Sequence, residues 1–229
     1  MLNESLEPGA FKRGKGGRPT RQEAERRHQS LLESATRLFL DKGWEGTSVD
    51  EISRQSGVAK RFIYARYPDK AALFVGALER FIGEKAGILH SFQPVEKDAG
   101  TGLFAFGKTL LALALRPETL AFLRLFISEA PRFPELAKGF LDNNRHRLLG
   151  EIIRVLEVYA NSGAIDLGDP ETRAEQFFIL VAGMPQRKAL LIGRDDPAIE
   201  ERKLKAAIHL FLNGCRLSAS PWERWPAAR

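Results

Sequence analysis

Four side chains that suit contact with a nucleic acid lie close together in the sequence, in a segment of seven residues. Lysine and arginine bind phosphate oxygens, arginine also makes a bidentate contact to guanine, and tyrosine donates a hydrogen bond to phosphate. A short helix from about Val58 to Tyr67 would place the four on one exposed side: Lys60, Arg61, Tyr64 and Arg66. The spacing predicts a DNA-reading surface, with a merely solvated basic face and a core tyrosine as the alternatives.

Two helices must precede this segment and hold it in place. Thr20 followed by Glu23 is a capping-box pattern, which predicts that a first helix begins there. Gly43 is typical of a helix C-terminus and predicts that this helix ends there. Thr47 and Ser48 stand before acidic residues at capping spacing, so a second, short helix should follow and end at Gly57. Three short helices with a glycine turn before the third are typical of a helix-turn-helix.

A fourth helix should follow the head, with Pro68 placed to open it. Further apolar stretches at helical spacing occupy about 103–115, 118–129, 133–160, 171–192 and 198–217. The predicted fold class is all-α, with an N-terminal three-helix helix-turn-helix head joined to a larger helical ligand-binding and dimerisation body. The predicted parts are a flexible basic arm (1–19), the head (20–67), a connecting helix (68–92), the body (93–218) and a C-terminal tail (219–229).

Composition agrees with a polyanionic partner. The chain of 229 residues has a net charge of +6, and positive charge is concentrated before and within the first helix, at Lys12, Arg13, Lys15, Arg18, Arg21, Arg26 and Arg27. Such a run alone can also be a solvated tail. The single cysteine fits a reducing compartment, and no apolar run resembles a signal peptide or a membrane span, so a soluble cytoplasmic protein is expected.

The head carries a family resemblance. Residues 46–52 (GTSVDEI), 57–60 (GVAK) and 63–64 (IY), followed by Tyr67 and Lys70, resemble the signature of the TetR family of transcriptional regulators over about residues 25–72. A basic arm with Arg18 before such a head is also similar to the family. Ala59, Phe62 and Arg66 depart from the usual pattern, so the operator sequence does not follow from the resemblance.

The resemblance implies roles for eight residues in binding a double-stranded operator. Hydroxyls and backbone N–H groups at the start of the second helix would hold a phosphate, and the basic and tyrosine side chains would contact phosphates or base edges. The eight are Arg18, Thr47, Ser48, Lys60, Arg61, Tyr64, Arg66 and Lys70. Lys70 could instead be merely solvated, and Phe62 could contact a thymine methyl or, as we favour, pack inward.

The segment from Phe126 to Leu136 (FISEAPRFPEL) resembles the AefR-like type of TetR sensor domain. That resemblance implies a body that binds a small-molecule effector and pairs two subunits. We predict an apolar pocket from Phe104, Phe122, Phe126, Phe140, Phe177 and Met184, although such a stripe can be plain core. A dimer interface is predicted at Phe178, Val181, Leu204, Ile208 and Phe211, although these residues could close the subunit's own core.

The function expected from the sequence is a dimeric regulator, by default a repressor that a ligand releases from a palindromic operator. We find no phosphate-cradling glycine motif, nucleophile elbow or metal-spaced histidine pair, so we expect no catalytic activity and no cofactor. The alternative is a helical small-molecule-binding protein that does not recognise DNA by sequence.

Overall fold

The computed structural model describes residues 20–94 and 98–214, except for the side chain of Asn144. The predicted arm with Arg18, the predicted tail and Cys215 lie outside these residues. Ten α-helices run in order through the described part: α1 (Arg21–Lys42), α2 (Val49–Ser56), α3 (Lys60–Tyr64), α4 (Lys70–His90), α5 (Ala99–Ala114), α6 (Pro117–Glu129), α7 (Pro134–Asn161), α8 (Pro170–Phe178), α9 (Met184–Ile192) and α10 (Pro197–Gly214). A 3₁₀ turn (Ala130–Arg132) precedes α7, and a π turn (Ile179–Gly183) joins α8 to α9. No described helix is both long and apolar enough to cross a membrane.

Helix α1 begins and ends where the sequence predicted. The Thr20 hydroxyl accepts a hydrogen bond from the Glu23 amide at 3.2 Å, and the Glu23 carboxylate accepts one from the Thr20 amide at 2.9 Å. Gly43 ends the helix with φ near 69°. The inward face buries Leu31, Leu32, Ala35, Leu38 and Phe39. The capping box is therefore confirmed, and α1 packs against α2 and α4.

The turn between α2 and α3 depends on Gly57. Its φ of 68° lies in the left-handed region, which a residue with a Cβ adopts only at a cost. The Ser53 hydroxyl donates to the Val58 carbonyl at 2.7 Å and so ties α2 to the chain beyond the turn. The reversal lets α3 begin at Lys60, two residues later than predicted.

Two further boundaries differ from the sequence prediction. Helix α3 ends at Tyr64, and the amides of Arg66 and Tyr67 bond back to the Ile63 carbonyl in a closing turn instead of extending the helix. Pro68 does not open α4, because the N-cap is Asp69, whose carboxylate accepts from the Ala72 amide at 2.8 Å. Proline fixes its own φ, but only Asp69 offers a side chain that can satisfy the first free amides.

The head does not have a core of its own. Its buried residues form one apolar cluster with α4 and with Phe122, Phe126, Ala137 and Phe140 of α6 and α7. Phe74 of α4 lies at the centre of this contact, since its ring meets Phe122 edge-to-face at 5.4 Å and Phe39 at 4.9 Å. The predicted division at residue 67 thus separates elements that share buried side chains.

A second apolar cluster fills the rest of the body, between α5, α7, α8, the π turn and α10. Within it Phe177 packs between Phe106 and Phe211, with ring centroids 5.9 and 5.1 Å away. The π turn before α9 has a local cause in the sequence. Pro185 lacks an amide hydrogen, so a regular α-helical ladder cannot pass through it.

Candidate DNA-reading surface and effector cavity

Helix α3 presents its polar side chains to solvent because two apolar residues hold its other side. Val58 and Ile63 are buried in the head, whereas Lys60, Arg61, Tyr64 and Arg66 are exposed. Tyr64 is 50% exposed, which excludes the core position that the sequence had left open. The structure therefore brings these four predicted side chains together on the surface that follows the Gly57 turn.

Two contacts restrain the cations of this surface. The Lys60 ammonium lies 2.6 Å from a carboxylate oxygen of Asp50 on α2, and both side chains are at least half exposed. The Arg66 guanidinium lies 4.0 Å from the centroid of the Phe62 ring, which is half-buried against the head. Phe62 thus packs inward, as favoured from the sequence, and also provides a face for Arg66. Among the described residues, neither Arg61 nor Arg66 forms an ion pair.

Ser48 and Thr47 have different roles at the start of α2. Ser48 is the N-cap: it is exposed, and its hydroxyl oxygen accepts from the Glu51 amide at 3.2 Å, which leaves its hydrogen free to donate. Thr47 is buried, and its hydroxyl lies within bonding distance of the carbonyls of Leu38 and Gly43. The sequence placed both hydroxyls on a phosphate. For Thr47 this is wrong, because its hydroxyl and its amide both bond within the head.

Lys70 is also engaged inside the head. Its ammonium donates to the carbonyls of Trp44 and Thr47 at 2.6 and 2.8 Å and lies 4.4 Å from the centroid of a Trp44 ring. Partial burial lowers its pKa from the usual value for lysine. The sequence predicted that Lys70 binds DNA, because it lies next to the start of α4. In the structure its hydrogen bonds hold the α1–α2 loop against α4 instead.

A contact between His28 and Tyr67, which the sequence did not reveal, holds the turn that follows α3. Nε2 of His28 on α1 lies 2.8 Å from the hydroxyl of Tyr67, and the two rings are stacked with centroids 6.0 Å apart. Burial and the nearby Arg66 lower the pKa of His28, while burial raises that of Tyr67. The two residues are 39 positions apart, so no local spacing could have indicated the contact.

A cavity of about 450 Å³ lies in the body between α4, α5, α6, α7, α8 and α9. Its wall is almost entirely apolar, and it lies within the size range of small-molecule sites in proteins. Phe122 and Phe140, two of the six predicted pocket residues, line it. They are joined by Phe81 of α4 and Phe178 of α8.

The other four predicted pocket residues do not line this cavity. Phe126 packs on Phe140 at 4.6 Å between centroids, behind the wall, and Phe177 is part of the second core. Phe104 lies on α5 near the ammonium groups of Lys108 and Lys205, and Met184 is exposed. Aromatic residues at helical spacing indicated an apolar interior, but the spacing could not distinguish the faces that meet a neighbour from the faces that border a void.

The residues predicted to form a dimer interface face inward. Val181, Leu204, Ile208 and Phe211 are at most 4% exposed within the single subunit, and Phe178 lines the cavity. They close the subunit's own core, which was the alternative interpretation of this pattern, so this interface assignment is wrong. Large apolar side chains that are exposed on the π turn, α9 and α10 are Ile179, Met184, Leu191, Ile192 and Leu210.

The charged and amide groups of the cavity wall were also missed. Lys85 on α4, Arg145 on α7, Glu175 on α8 and Gln186 on α9 border the cavity. Of these four residues, only Lys85 could have been found from the sequence. The apolar residues of α4 continue at helical spacing through Phe81 and Leu89, past the part of α4 that packs on the head, which indicates that Lys85 lies beside a second apolar contact. The others come from helices whose mutual packing the sequence does not state.

Two family matches cover most of the described chain. Residues 31–77 match the family described as bacterial regulatory proteins, tetR family, and residues 101–214 match the AefR-like transcriptional repressor, C-terminal domain. The first match contains α2 and α3, and the second contains most of α5 and α6 to α10. Five of these helices, α5 to α9, are among the six that border the cavity. The matches thus include both features described above.

Individual relatives agree with these matches. The HTH-type transcriptional regulator YezE of Bacillus subtilis is 27% identical over 113 residues, which are 48% of this chain and 58% of that protein, so the chain spans less than two thirds of this curated relative. A TetR-family transcriptional regulator from Mesorhizobium loti has a crystal structure that superposes with a TM-score of 0.77 at 27% identity, over 87% of this chain and 100% of that one. The flavonoid-responsive regulator FrrA superposes with a TM-score of 0.65 at 28% identity, over 85% of this chain and 100% of that one. The capped three-helix head, the all-helical body and both sequence matches lead to the same conclusion: the chain belongs to the TetR family of DNA-binding transcriptional regulators.

Proposed function

We propose that two copies of this chain bind an operator through the exposed side of α3, and that a small molecule in the cavity releases them from it. The observation that carries this proposal is a shared apolar cluster. Phe122 borders the cavity and contacts Phe74, and Phe74 contacts Phe39 of the head. A ligand that moves α6 or α4 would therefore change the packing that orients the head.

The DNA contacts follow from the chemistry of the exposed groups. Lys60, Arg61 and Arg66 would bind phosphates or base edges, Tyr64 would donate its hydroxyl to a phosphate, and the Ser48 hydroxyl would do the same from the start of α2. The positive end of α2 adds to the attraction for a phosphate at Ser48. These five residues are the operator contacts that we propose for the described part of the head. Arg18 remains a prediction from the sequence.

The effector would be a small molecule held mainly by apolar contacts. The cavity volume suits a molecule of the size of a common metabolite or drug. FrrA, which shares 28% identity over most of this chain, is flavonoid-responsive, and this supports a ring-containing effector class for the present protein. Ligand binding would favour a body conformation in which the head spacing no longer fits the operator, which makes repression the expected mode.

Pairing of two subunits would use a surface that the single subunit leaves uncovered. Leu191 and Ile192 of α9 are 74% and 79% exposed, and Leu210 of α10 is 61% exposed. Exposed apolar side chains of this size on neighbouring helices are typical of a face that a second copy covers.

The sequence predicted a cytoplasmic protein. This location fits a regulator that binds DNA, because such a protein works in the compartment that holds DNA. We propose no catalytic step.

The second candidate function is a helical ligand-binding protein without sequence-specific DNA recognition. The Asp50 carboxylate beside Lys60 favours it, since it neutralises part of the cationic surface and would repel phosphates. Phe62 favours it as well, because the family pattern has a different residue at this position.

Band-shift and anisotropy titrations with the DNA upstream of the protein's own gene separate the two functions. Replacement of Tyr64 by Phe and of Lys60 by Ala should each weaken binding without a change in melting temperature, because both side chains are exposed. Lys205→Ala, at an exposed position of α10, is the matched control and should leave binding unchanged. Footprints should show two half-sites about one helical turn apart. Equal binding to unrelated duplexes, or none at low salt, would support the second candidate.

A further inference from the structure

We infer that the ligand of the body cavity is an amphiphile with an apolar, ring-sized body and one negatively charged group, which Lys85 receives. The inference rests on the proposed function, since it takes the cavity to be the effector site. Four phenylalanines and several leucines form the wall, so most of the ligand must be apolar. The charge of the remaining part follows from the ionisable groups at the cavity.

Three charged side chains of described residues border the cavity: Lys85, Arg145 and Glu175. Arg145 and Glu175 form an ion pair across α7 and α8, so these two charges offset each other. Lys85 has no ion pair among the described residues, and its ammonium lies 4.3 Å from the centroid of the Phe81 ring. The cavity therefore carries one positive charge for which the described protein supplies no anion.

The neutral polar groups of the wall are already bonded to the backbone. The Thr119 hydroxyl donates to the Leu113 carbonyl at 3.0 Å, and the Gln186 amide donates to the Ala114 carbonyl at 3.0 Å. The hydroxyl hydrogen of Thr119 and one amide hydrogen of Gln186 are therefore not available to a ligand. The Lys85 ammonium, half-buried beside an aromatic ring, is the charged donor of the wall that has no ion pair among the described residues.

A carboxylate, sulfonate or phenolate matches this donor better than a neutral or cationic group does. A charge-assisted hydrogen bond is about twice as strong as a neutral one, and water is partly excluded at the apolar wall. A cation at the same place would be repelled by Lys85.

Two dyes with the same ring skeleton test this inference. Anilinonaphthalene sulfonate carries one negative charge, and N-phenylnaphthylamine is its neutral counterpart. We expect the wild-type protein to bind the sulfonate about tenfold more tightly in fluorescence titrations. Lys85→Met should remove this preference and leave the affinity for the neutral dye unchanged. Lys108→Met is the matched control, since Lys108 also lies near a phenylalanine ring, at 5.8 Å, but outside the cavity.

A variant that fills the cavity shows where the dyes bind. Ala86 lines the cavity from α4, and Ala86→Trp should abolish binding of both dyes. Circular dichroism and melting curves check that this variant folds. If it does not, competition between the two dyes in the wild type shows whether they share one site.

The outcomes separate a failure of the cavity as a ligand site from a failure of the anionic ligand class. If neither dye binds, the cavity is not a ligand site, and the proposed effector function fails together with the inference. If both bind equally, the cavity stands as a ligand site and the anionic class is wrong. If the preference for the sulfonate survives in Lys85→Met, Lys85 is not the group that receives the anion. Loss of sulfonate affinity in Lys85→Met with unchanged neutral affinity supports the inference.

Discussion

Arg132 of the body pairs with Glu45 of the α1–α2 loop, and the nearest nitrogen and oxygen atoms are 3.0 Å apart. The same guanidinium binds Glu129 at 2.9 Å, and the two carboxylates raise its pKa. Next to it, the Phe133 ring lies 5.3 Å from that of Trp44. The corner between α6 and α7 therefore packs directly on the loop that leads into α2 and α3, which joins the body to the head at a second place.

Replacement of Arg132 by Met should loosen this corner without unfolding the protein. The pair is exposed, and exposed ion pairs contribute little to global stability, so the melting temperature should stay close to that of the wild type. Amide exchange in residues 44–51 should rise, on the order of threefold, when measured by hydrogen–deuterium exchange. Arg187→Met, at an exposed position of α9, is the control. Unchanged exchange in residues 44–51 would show that the corner does not restrain the loop.

Thr47 and Ser48 should separate stability from DNA binding. Thr47→Val keeps the shape but removes the hydroxyl that bonds within the head, so the free energy of unfolding should fall by about 1 to 2 kcal/mol. Affinity for DNA should persist at temperatures where the variant is folded. Urea titration and anisotropy measure the two quantities.

Ser48→Ala should show a different pattern, because it removes both a helix cap and an exposed hydroxyl. We expect a loss of about 1 kcal/mol in unfolding free energy and weaker binding to every duplex tested. If Thr47→Val weakened binding as much as Ser48→Ala at equal folded fraction, the structural role assigned to Thr47 would be untenable.

His28 should make the head less stable in mild acid. Its folded-state pKa lies below the ordinary value of 6.5, because of burial first and the charge of Arg66 second, with Arg80 acting in the same direction and Glu25 against it. Between the folded pKa and 6.5 the unfolded chain binds more protons, so stability falls as the pH falls through this window. Below the folded pKa the loss from this group is complete.

Melting curves between pH 7.5 and about pH 5 test this prediction. His28→Gln keeps a polar partner for Tyr67 but does not titrate, so its stability should depend less on pH in this range. His146→Gln, on the exposed side of α7, should follow the wild type. Identical slopes for wild type and His28→Gln would contradict the assignment.

Asp50 should weaken DNA binding in the wild type. Asp50→Asn removes an exposed carboxylate 2.6 Å from the Lys60 ammonium, so affinity for duplex DNA should rise about two- to fivefold at low salt. The slope of log affinity against log salt should steepen by up to about 0.9, because one more cation becomes free to displace a counterion. Asp142→Asn on α7 is the control. A decrease in affinity would mean that Asp50 orients Lys60 for its contact.

Gly102 should be required by the ring of Tyr159. A Cβ at position 102 would lie 1.7 Å from the Tyr159 hydroxyl, in the middle of the second core. Gly102→Ala should therefore destabilise the body by about 1 to 3 kcal/mol, although alanine normally favours a helix over glycine. In Gly150→Ala no neighbour lies within 4 Å, and this variant should gain up to about 1 kcal/mol. Thermal melts of the two variants should move in opposite directions.

Local signals in the sequence determined the helices of the head. The pair Thr20 and Glu23 is only three residues apart, and Gly57 acts through its own φ, so neither needs distant information. The apolar residues Val58 and Ile63 likewise fixed which side of α3 faces outward. These features were predictable because capping, glycine turns and helical periodicity depend on neighbours within about one helical turn.

Tertiary structure decided how individual side chains are used. Thr47 and Lys70 carry groups that could bind a phosphate. In the folded head these groups instead donate hydrogen bonds to carbonyls at the end of α1 and in the α1–α2 loop. Lys85 became a candidate ligand contact only because five other helices enclose a void beside it, and Val181 turned inward because α5 and α10 cover it. The partner of a side chain is set by the helices that pack around it. These helices come from positions far apart in the chain, and the residue spacing along one helix does not encode how they pack.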